Sequence, residues 1–279
     1  MPYKIYLDRL ITSFKRNGFF KTFLKLPAKL LFLLLNLPLD KRSKLINQLI
    51  LDWTENLPWN FSFIEGYAIL DLPKEHKKEK TALCFGIYDS VLTELALTNL
   101  DYKVFSFDPT PITKNFFKNN PELAHQLNYH PWAVWSEDGK KNFYYIEDDQ
   151  DEAQFEGTLG GIKHGKNFEE VDCFSLDSII ERLNLVNIDY IKMDIEGAVP
   201  AVLSTYLNNE TRKIKLATQI CFELEIPREI HSKASKEIIS SIEVLLKKLK
   251  ENYNLYSIPN DRKHNHICVL AVKSDYFNS

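Results

Sequence analysis

The apolar positions of this chain fall into two alternating kinds of stretch. Short, nearly unbroken apolar runs stand at residues 81–87, 103–107, 127–135, 188–195, 216–226, 255–258 and 267–273. Such runs suit strands covered on both faces. Between them, apolar residues recur every three or four positions, the period of a helix with one buried face. Residues 90–99 show it, with Leu92, Leu95 and Ala96 on one side, as do 176–183, 199–206 and 235–252. Pro111 suits the first turn of a further helix, where its missing N–H costs nothing. Ser175 is placed to N-cap the helix that starts at 176. Residues 142–146 read as an added hairpin strand and 157–167 (GTLGGIKHGKN) as a glycine-rich, basic-polar loop. Strand–helix alternation predicts an α/β fold with one doubly wound, mostly parallel sheet. The last two strands, joined by a short link, are expected to be antiparallel. The charged stretch PKEHKKEK at 73–80 reads as a solvated turn. It separates an N-terminal helical extension, residues 1–71, from a domain spanning 72–279.

Candidate chemistry concentrates where the runs end. IDYIKMDIEGA, residues 188–198, brings Asp194 and Glu196 to the carboxyl end of a buried strand. Open α/β sheets bind their ligands at that end. Gly197 allows a sharp turn into the following helix. Two uses of the acids remain open: capping that helix and meeting its dipole, or a catalytic or ligand role. The first strand of the domain ends in CFGIYDS and the second in FSFDPTP, with 22 residues from Gly86 to Asp108. A glycine after strand one admits a cofactor to the backbone, and an acid closing strand two is placed to accept ribose hydroxyls. Asp108 before Pro109 also suits a plain turn. A dinucleotide fingerprint would need glycines where Tyr88 and Val91 stand, which counts against NAD and FAD. S-adenosylmethionine, with no pyrophosphate to cradle, asks less of the loop.

Four segments taken together carry a family resemblance. LCFGIYDSVLTELAL, VFSFDPTP, HPWAVWSEDGKKNFYY and CFSLDSIIERLNLVNIDYIKMDIEGA resemble, in order and spacing, the FkbM-type S-adenosylmethionine-dependent methyltransferases. The likeness runs from about Thr81 to Glu225, and FDPTP and IKMDIEGA are its most specific pieces. It implies a Rossmann-like fold of the class I methyltransferase type and methyl transfer, commonly to a hydroxyl of a sugar or polyketide. By position it implies that Gly86, Tyr88 and Asp89 form the cofactor loop and that Glu94 lies in the helix after it. Asp108, with Pro109, matches the ribose-binding acid, and Ser136 and Glu137 lie in the adenine-lining region. Asp194 and Glu196 match the acids near the reacting centre. The chain departs from the family in three places. Tyr88 replaces a second glycine, Leu92-Thr93 replaces Ser-Phe, and Val199-Pro200 stands where an acid commonly follows EGA. The Tyr88 side chain must either crowd the methionine end of the cofactor or stack on the ligand.

Methyl transfer to an alcohol needs an aligned acceptor and a group to take its proton. Asp194 or Glu196 could serve as that base, or ligate a divalent cation, for which Mg²⁺ suits oxygen ligands. Glu223 and Glu225, alternating at a strand end, share one face and reach the same rim. The strand end offers them simple solvation as well. His130, His164, His264 and His266 are further candidate bases, and His264-x-His266 without a third ligand is a poor metal site. No residue is assigned to a metal.

Composition bounds these readings. A chain of 279 residues with 44% hydrophobic and 26% charged residues has the balance of a soluble globular protein. Cys84, Cys173, Cys221 and Cys268 are scattered without a CxxC pair, which suits a reducing, cytoplasmic setting. The net charge of -3 is uneven: residues 1–44 hold ten Lys/Arg against two acids, leaving -11 for the rest. An acidic core disfavours nucleic acid as a partner. The basic segment ends in LLFLLLNLPL, residues 30–39, about half the ~20 apolar residues a spanning helix needs. Two readings stand: an amphipathic helix on an anionic membrane surface, or a helical lid packed on the domain. The function expected is O-methylation of a sugar, glycan or other small hydroxylated acceptor. The alternative is a degenerate methyltransferase fold used as a binding or scaffold module.

Overall fold

The computed structural model describes residues 45, 48–50, 52–55, 61–64, 66–70, 79–88, 90–145, 167–211, 214–227, 232–258 and 266–278. Seven strands form the central sheet: β3 (Lys80–Phe85), β4 (Tyr102–Phe107), β5 (Tyr129–His130), β9 (Tyr190–Met193), β10 (Gln219–Glu225), β11 (Tyr253–Ile258) and β12 (His266–Lys273). Their order is β5-β4-β3-β9-β10-β12-β11. All neighbours are parallel except β12, which runs antiparallel to both β10 and β11. The chain winds outward from β3 in one direction and from β9 in the other. The switch point of the sheet, where such folds place ligands, is therefore the gap between the ends of β3 and β9.

Helices cover both faces: α1 (Leu92–Asn99), α2 (Pro111–Asn119), α3 (Pro121–Gln126), α4 (Leu176–Arg182), α5 (Val199–Asn208) and α6 (Lys233–Leu249). Pro111 opens α2 at its first turn, with Thr110 as its N-cap. Ser175 caps α4 by accepting from the Ser178 N–H at 3.1 Å. On one face of the sheet Leu83, Phe85, Phe107, Ile191, Met193 and Phe222 pack with residues of α4, α5 and α6. On the other, Ala82, Cys84, Val104, Tyr190, Cys221, Cys268 and Leu270 form a second core.

That second core includes a hairpin that the hydrophobic pattern did not reveal. β1 (Phe61–Ile64) and β2 (Tyr67–Leu70) pair antiparallel, and Gly66 turns between them at φ +89°. All four residues of β2 are buried. Gln219 of β10 clamps Leu70, accepting from its N–H at 2.7 Å and donating to its carbonyl at 2.9 Å. Tyr190 donates to the Ala68 carbonyl at 3.1 Å. The boundary drawn between 71 and 72 thus cuts a hairpin away from the sheet it covers. The basic apolar segment 1–44 lies outside the described residues, and among the described residues no helix is long and apolar enough to cross a membrane.

The expected third strand over 127–135 is two strands. Pro131, with no N–H to donate, ends pairing after His130. The chain then enters a separate three-stranded sheet, β6-β8-β7, made by β6 (Ala133–Val134), β7 (Gly139–Tyr145) and β8 (Asn167–Phe174). β8 reads poorly as a strand because Glu169, Glu170 and Asp172 interrupt its apolar positions.

Candidate active site

The carboxyl ends of the parallel strands form two layers on the hairpin side of the sheet. Cys84, Lys192 and Cys221 are register partners across β3, β9 and β10. One step beyond, at the rim, stand Gly86, Asp194 and Glu223. Gly86 is held close: a Cβ built on it would lie 1.7 Å from the Asp194 carbonyl oxygen, and its φ is +78°. Only glycine fits there, and what it accommodates is the neighbouring strand end.

Asp194 does not cap the following helix. The N-cap of α5 is Ala198, with no side-chain capping bond. Instead Asp194 Oδ2 accepts the Tyr67 hydroxyl from the hairpin at 2.7 Å. Burial, reinforced by Asp194 and Glu223, raises the Tyr67 phenol well above its ordinary value, so it remains a donor. Glu196 and Gly197 take successive left-handed conformations, φ +42° and +76°, which turns the chain from the strand into α5. Glu225 Oε2 reaches to within 3.6 Å of where a Gly197 Cβ would stand.

Burial and the adjacent Asp194 push the Glu223 carboxyl up to about 8, against the opposing pull of Lys192. His266 Nδ1 of β12 lies 3.5 Å from Glu223 Oε2. Of the other candidate bases, His130 is three strands from β9, roughly 14 Å at normal strand spacing. Its ring contacts those of Phe107 and Trp132 with centroids at 5.5 and 4.4 Å, and burial lowers its pKa. His164 and His264 lie outside the described residues, as does Asp89. Among the described residues no group of three or more His, Cys, Asp or Glu is arranged to hold a metal ion, so the Mg²⁺ expectation gains no support.

On the cofactor side, Asp108 is 3% exposed and already bonded. Its Oδ2 accepts from the N–H groups of Ile87 (2.8 Å) and Tyr88 (2.9 Å), and its Oδ1 from Thr110 (2.8 Å). A carboxylate has about four acceptor positions, so roughly one remains for a ribose hydroxyl. Asp108 thus chiefly shapes the loop. Tyr88 sits in that loop at φ +58°, the region where glycine costs nothing and other residues are strained. Its carbonyl accepts from Thr113 Oγ1 at 2.6 Å. Pro109 is buried. Ser136 and Glu137 fall in the turn between β6 and β7, where Glu137 pairs with Lys141 at 2.8 Å.

Three contributors escaped sequence reading. Lys192 was a visible signal, a lone cation in the strand YIKM. It is 5% exposed, its ammonium donates to the Gly86 carbonyl, and it lies 4.8 Å from the centre of the Tyr67 ring. Glu94 of α1, which the sequence marks only as a helix residue, is fully buried, and neither oxygen has a hydrogen-bond partner among the described residues. Tyr67 gave no signal because its hairpin was read as part of a helical extension.

A seven-stranded sheet with this order, one antiparallel strand and an acidic rim at the switch point defines a Rossmann-like domain of the class I methyltransferase type. The family model described as "Methyltransferase FkbM domain" matches residues 67–253, and the chain belongs to the FkbM methyltransferase family. Its first matched residue is Tyr67, the donor to Asp194. The comparison with curated proteins gives no match. Among solved structures, the chain is similar to a putative caffeoyl-CoA O-methyltransferase from Staphylococcus aureus: 12% identity, 98% of this chain and 100% of that one, TM-score 0.39. It is also similar to the fibrillarin pre-rRNA processing protein of Methanococcus jannaschii: 11% identity, 71% of this chain and 67% of that one, TM-score 0.39. A third is a putative methyltransferase from Streptococcus mutans in complex with SAH: 9% identity, 70% and 89% coverage, TM-score 0.37.

Proposed function

We propose that this protein is an S-adenosylmethionine-dependent O-methyltransferase acting on a sugar, glycan or other small hydroxylated acceptor. The observation that carries the reading is Glu223: a carboxyl raised to about 8, on the strand next to Asp194 at the rim of a methyltransferase-family sheet. A base with a pKa near the working pH is well matched to taking a hydroxyl proton. The residues present fit the cofactor in charge, since a cationic sulfonium suits the carboxylates Asp194 and Glu225 at the rim. The loop at 86–88, the remaining acceptor position of Asp108 and the open oxygen of Asp194 would hold it. When bound it supplies the electrophilic methyl group. Asp194, oriented by Tyr67, fixes one side of the acceptor, and Glu223 takes its proton on the other, with His266 beside it.

The test is calorimetric titration with S-adenosylmethionine followed by labelled-methyl transfer to a panel of polyols and glycans. No binding at millimolar ligand would sink the reading. A second reading, a degenerate fold serving as a binding module, has its own support in the near-saturated Asp108 and the strained Tyr88. It expects no turnover and tolerance of Asp108→Ala and Asp194→Ala in a functional assay.

The same proposal takes the protein to be cytoplasmic, with segment 1–44 resting on an anionic membrane surface and no nucleic-acid partner. Its support is the ten Lys/Arg against two acids in that segment and the -11 elsewhere. Failure of the full chain to co-sediment with anionic vesicles at low salt would end the membrane part.

A further inference from the structure

The rim is assembled over a buried charge. Lys192 occupies the middle of the lower layer, between Cys84 and Cys221, in a strand whose other residues are Tyr, Ile and Met. Burial, the largest influence, works against its ammonium, yet Glu94, Asp194, Cys84 and Asp108 together outweigh it and its pKa is raised. Burial likewise raises the pKa of Glu94 in α1, with Lys192 pulling the other way. Replacing a buried ion pair by apolar groups is often neutral or stabilising. Stability alone therefore gives little reason for a cation here.

Its contacts supply another reason. One end of the geometry is the Gly86 carbonyl, to which the ammonium donates. The other is the face of Tyr67, the residue that holds Asp194. A single charge thus joins the cofactor-side loop to the acceptor-side acid. The loop continues through Ile87 and Tyr88, whose N–H groups turn inward to Asp108. Fixing the Gly86 carbonyl fixes the peptide from which that turn starts, and with it the left-handed angles at Gly86 and Tyr88.

We propose that Lys192 is a positioning residue that sets the conformation of loop 86–88 for the cofactor. This deepens the methyltransferase reading and rests on it for the identity of the ligand, but the positioning itself is a property of the protein alone. The lysine does no proton transfer; its part is to pin a carbonyl.

The test compares full-length wild type, Lys192→Met and the double variant Lys192→Met/Glu94→Gln. Three measurements are made: thermal unfolding, amide hydrogen exchange at Ile87 and Tyr88 without ligand, and calorimetric titration with S-adenosylmethionine. Lys192→Met is expected to lower the melting temperature, because the buried Glu94 loses the positive charge that favours its ionised form. It should also speed exchange at both amides and weaken cofactor binding, each by about tenfold or more, the scale of one charge-assisted hydrogen bond. The double variant should recover the melting temperature but neither exchange protection nor affinity. Recovery of all three would reduce Lys192 to half of a stabilising pair and overturn the proposal. So would unchanged exchange in a folded Lys192→Met. If wild type binds no S-adenosylmethionine, the functional reading fails, while the exchange result still decides for or against Lys192.

Discussion

Tyr67 and Asp194 meet at 2.7 Å although 127 residues separate them in the chain. The contact joins the hairpin to the strand end at which the two halves of the sheet diverge, so the hairpin is part of the site. Tyr67→Phe keeps the ring over Lys192 and removes only the donor. It should cost about 1–3 kcal/mol of stability, the usual worth of a hydrogen bond to a charged group that is only partly buried. If Asp194 orients the acceptor, kcat should fall with KM little changed; steady-state kinetics on any accepted substrate checks this.

Glu223 should imprint its pKa on both rate and stability. As a base it works only when deprotonated, so kcat/KM should rise with pH through about 8. Glu223→Gln should lose that limb and about 10²- to 10⁴-fold in rate. For stability, the folded state keeps this proton up to about 8, whereas the unfolded chain releases it near 4.5. The folded state binds more protons between those values, so stability falls as pH rises through the window. Glu223→Gln, which mimics the protonated form, should therefore gain in melting temperature relative to wild type as pH goes from 5 to 9.

The two ends of the site differed in how far the sequence exposed them. Strand ends were legible because each chemical residue follows a buried run: Asp108 closes one, Asp194 another, and Glu223 alternates out of a third. What each acid bonds was not legible. Asp108 closes its strand where a ribose could reach it, and in the fold three N–H groups, two from loop 86–88 and one from Thr110, nearly fill it. Tyr67 and Glu94 come from segments with no chemical signature, and their partners lie 127 and about 100 residues away, a proximity only the packed fold supplies. The hairpin and β8 were missed because a four-residue strand and an acid-rich one give too little period-two alternation to distinguish.

Gly86→Ala should be among the most damaging single changes in the chain. The added methyl would sit 1.7 Å from the Asp194 carbonyl, a backbone atom that cannot swing aside. Alanine also resists the positive φ, so a loss of more than about 2 kcal/mol is expected from strain and displacement together. Urea unfolding measures it. A loss under about 1 kcal/mol would mean that the ends of β3 and β9 are less closely packed than described.

At Tyr88 the expected effects run the other way. The left-handed φ of +58° is easy for glycine and strained for other residues. Tyr88→Gly should relieve about 1 kcal/mol of strain and lose a similar amount to the greater freedom of the unfolded chain. The melting temperature should therefore move little. Tyr88→Val, β-branched and poorly suited to positive φ, should be less stable than Tyr88→Gly by at least about 1 kcal/mol. Cofactor titration on the same pair separates the two roles left for the side chain. If Tyr88 crowds the ligand, the glycine variant binds S-adenosylmethionine more tightly than wild type. If it stacks on the ligand, the glycine variant binds more weakly, while Tyr88→Phe keeps wild-type affinity.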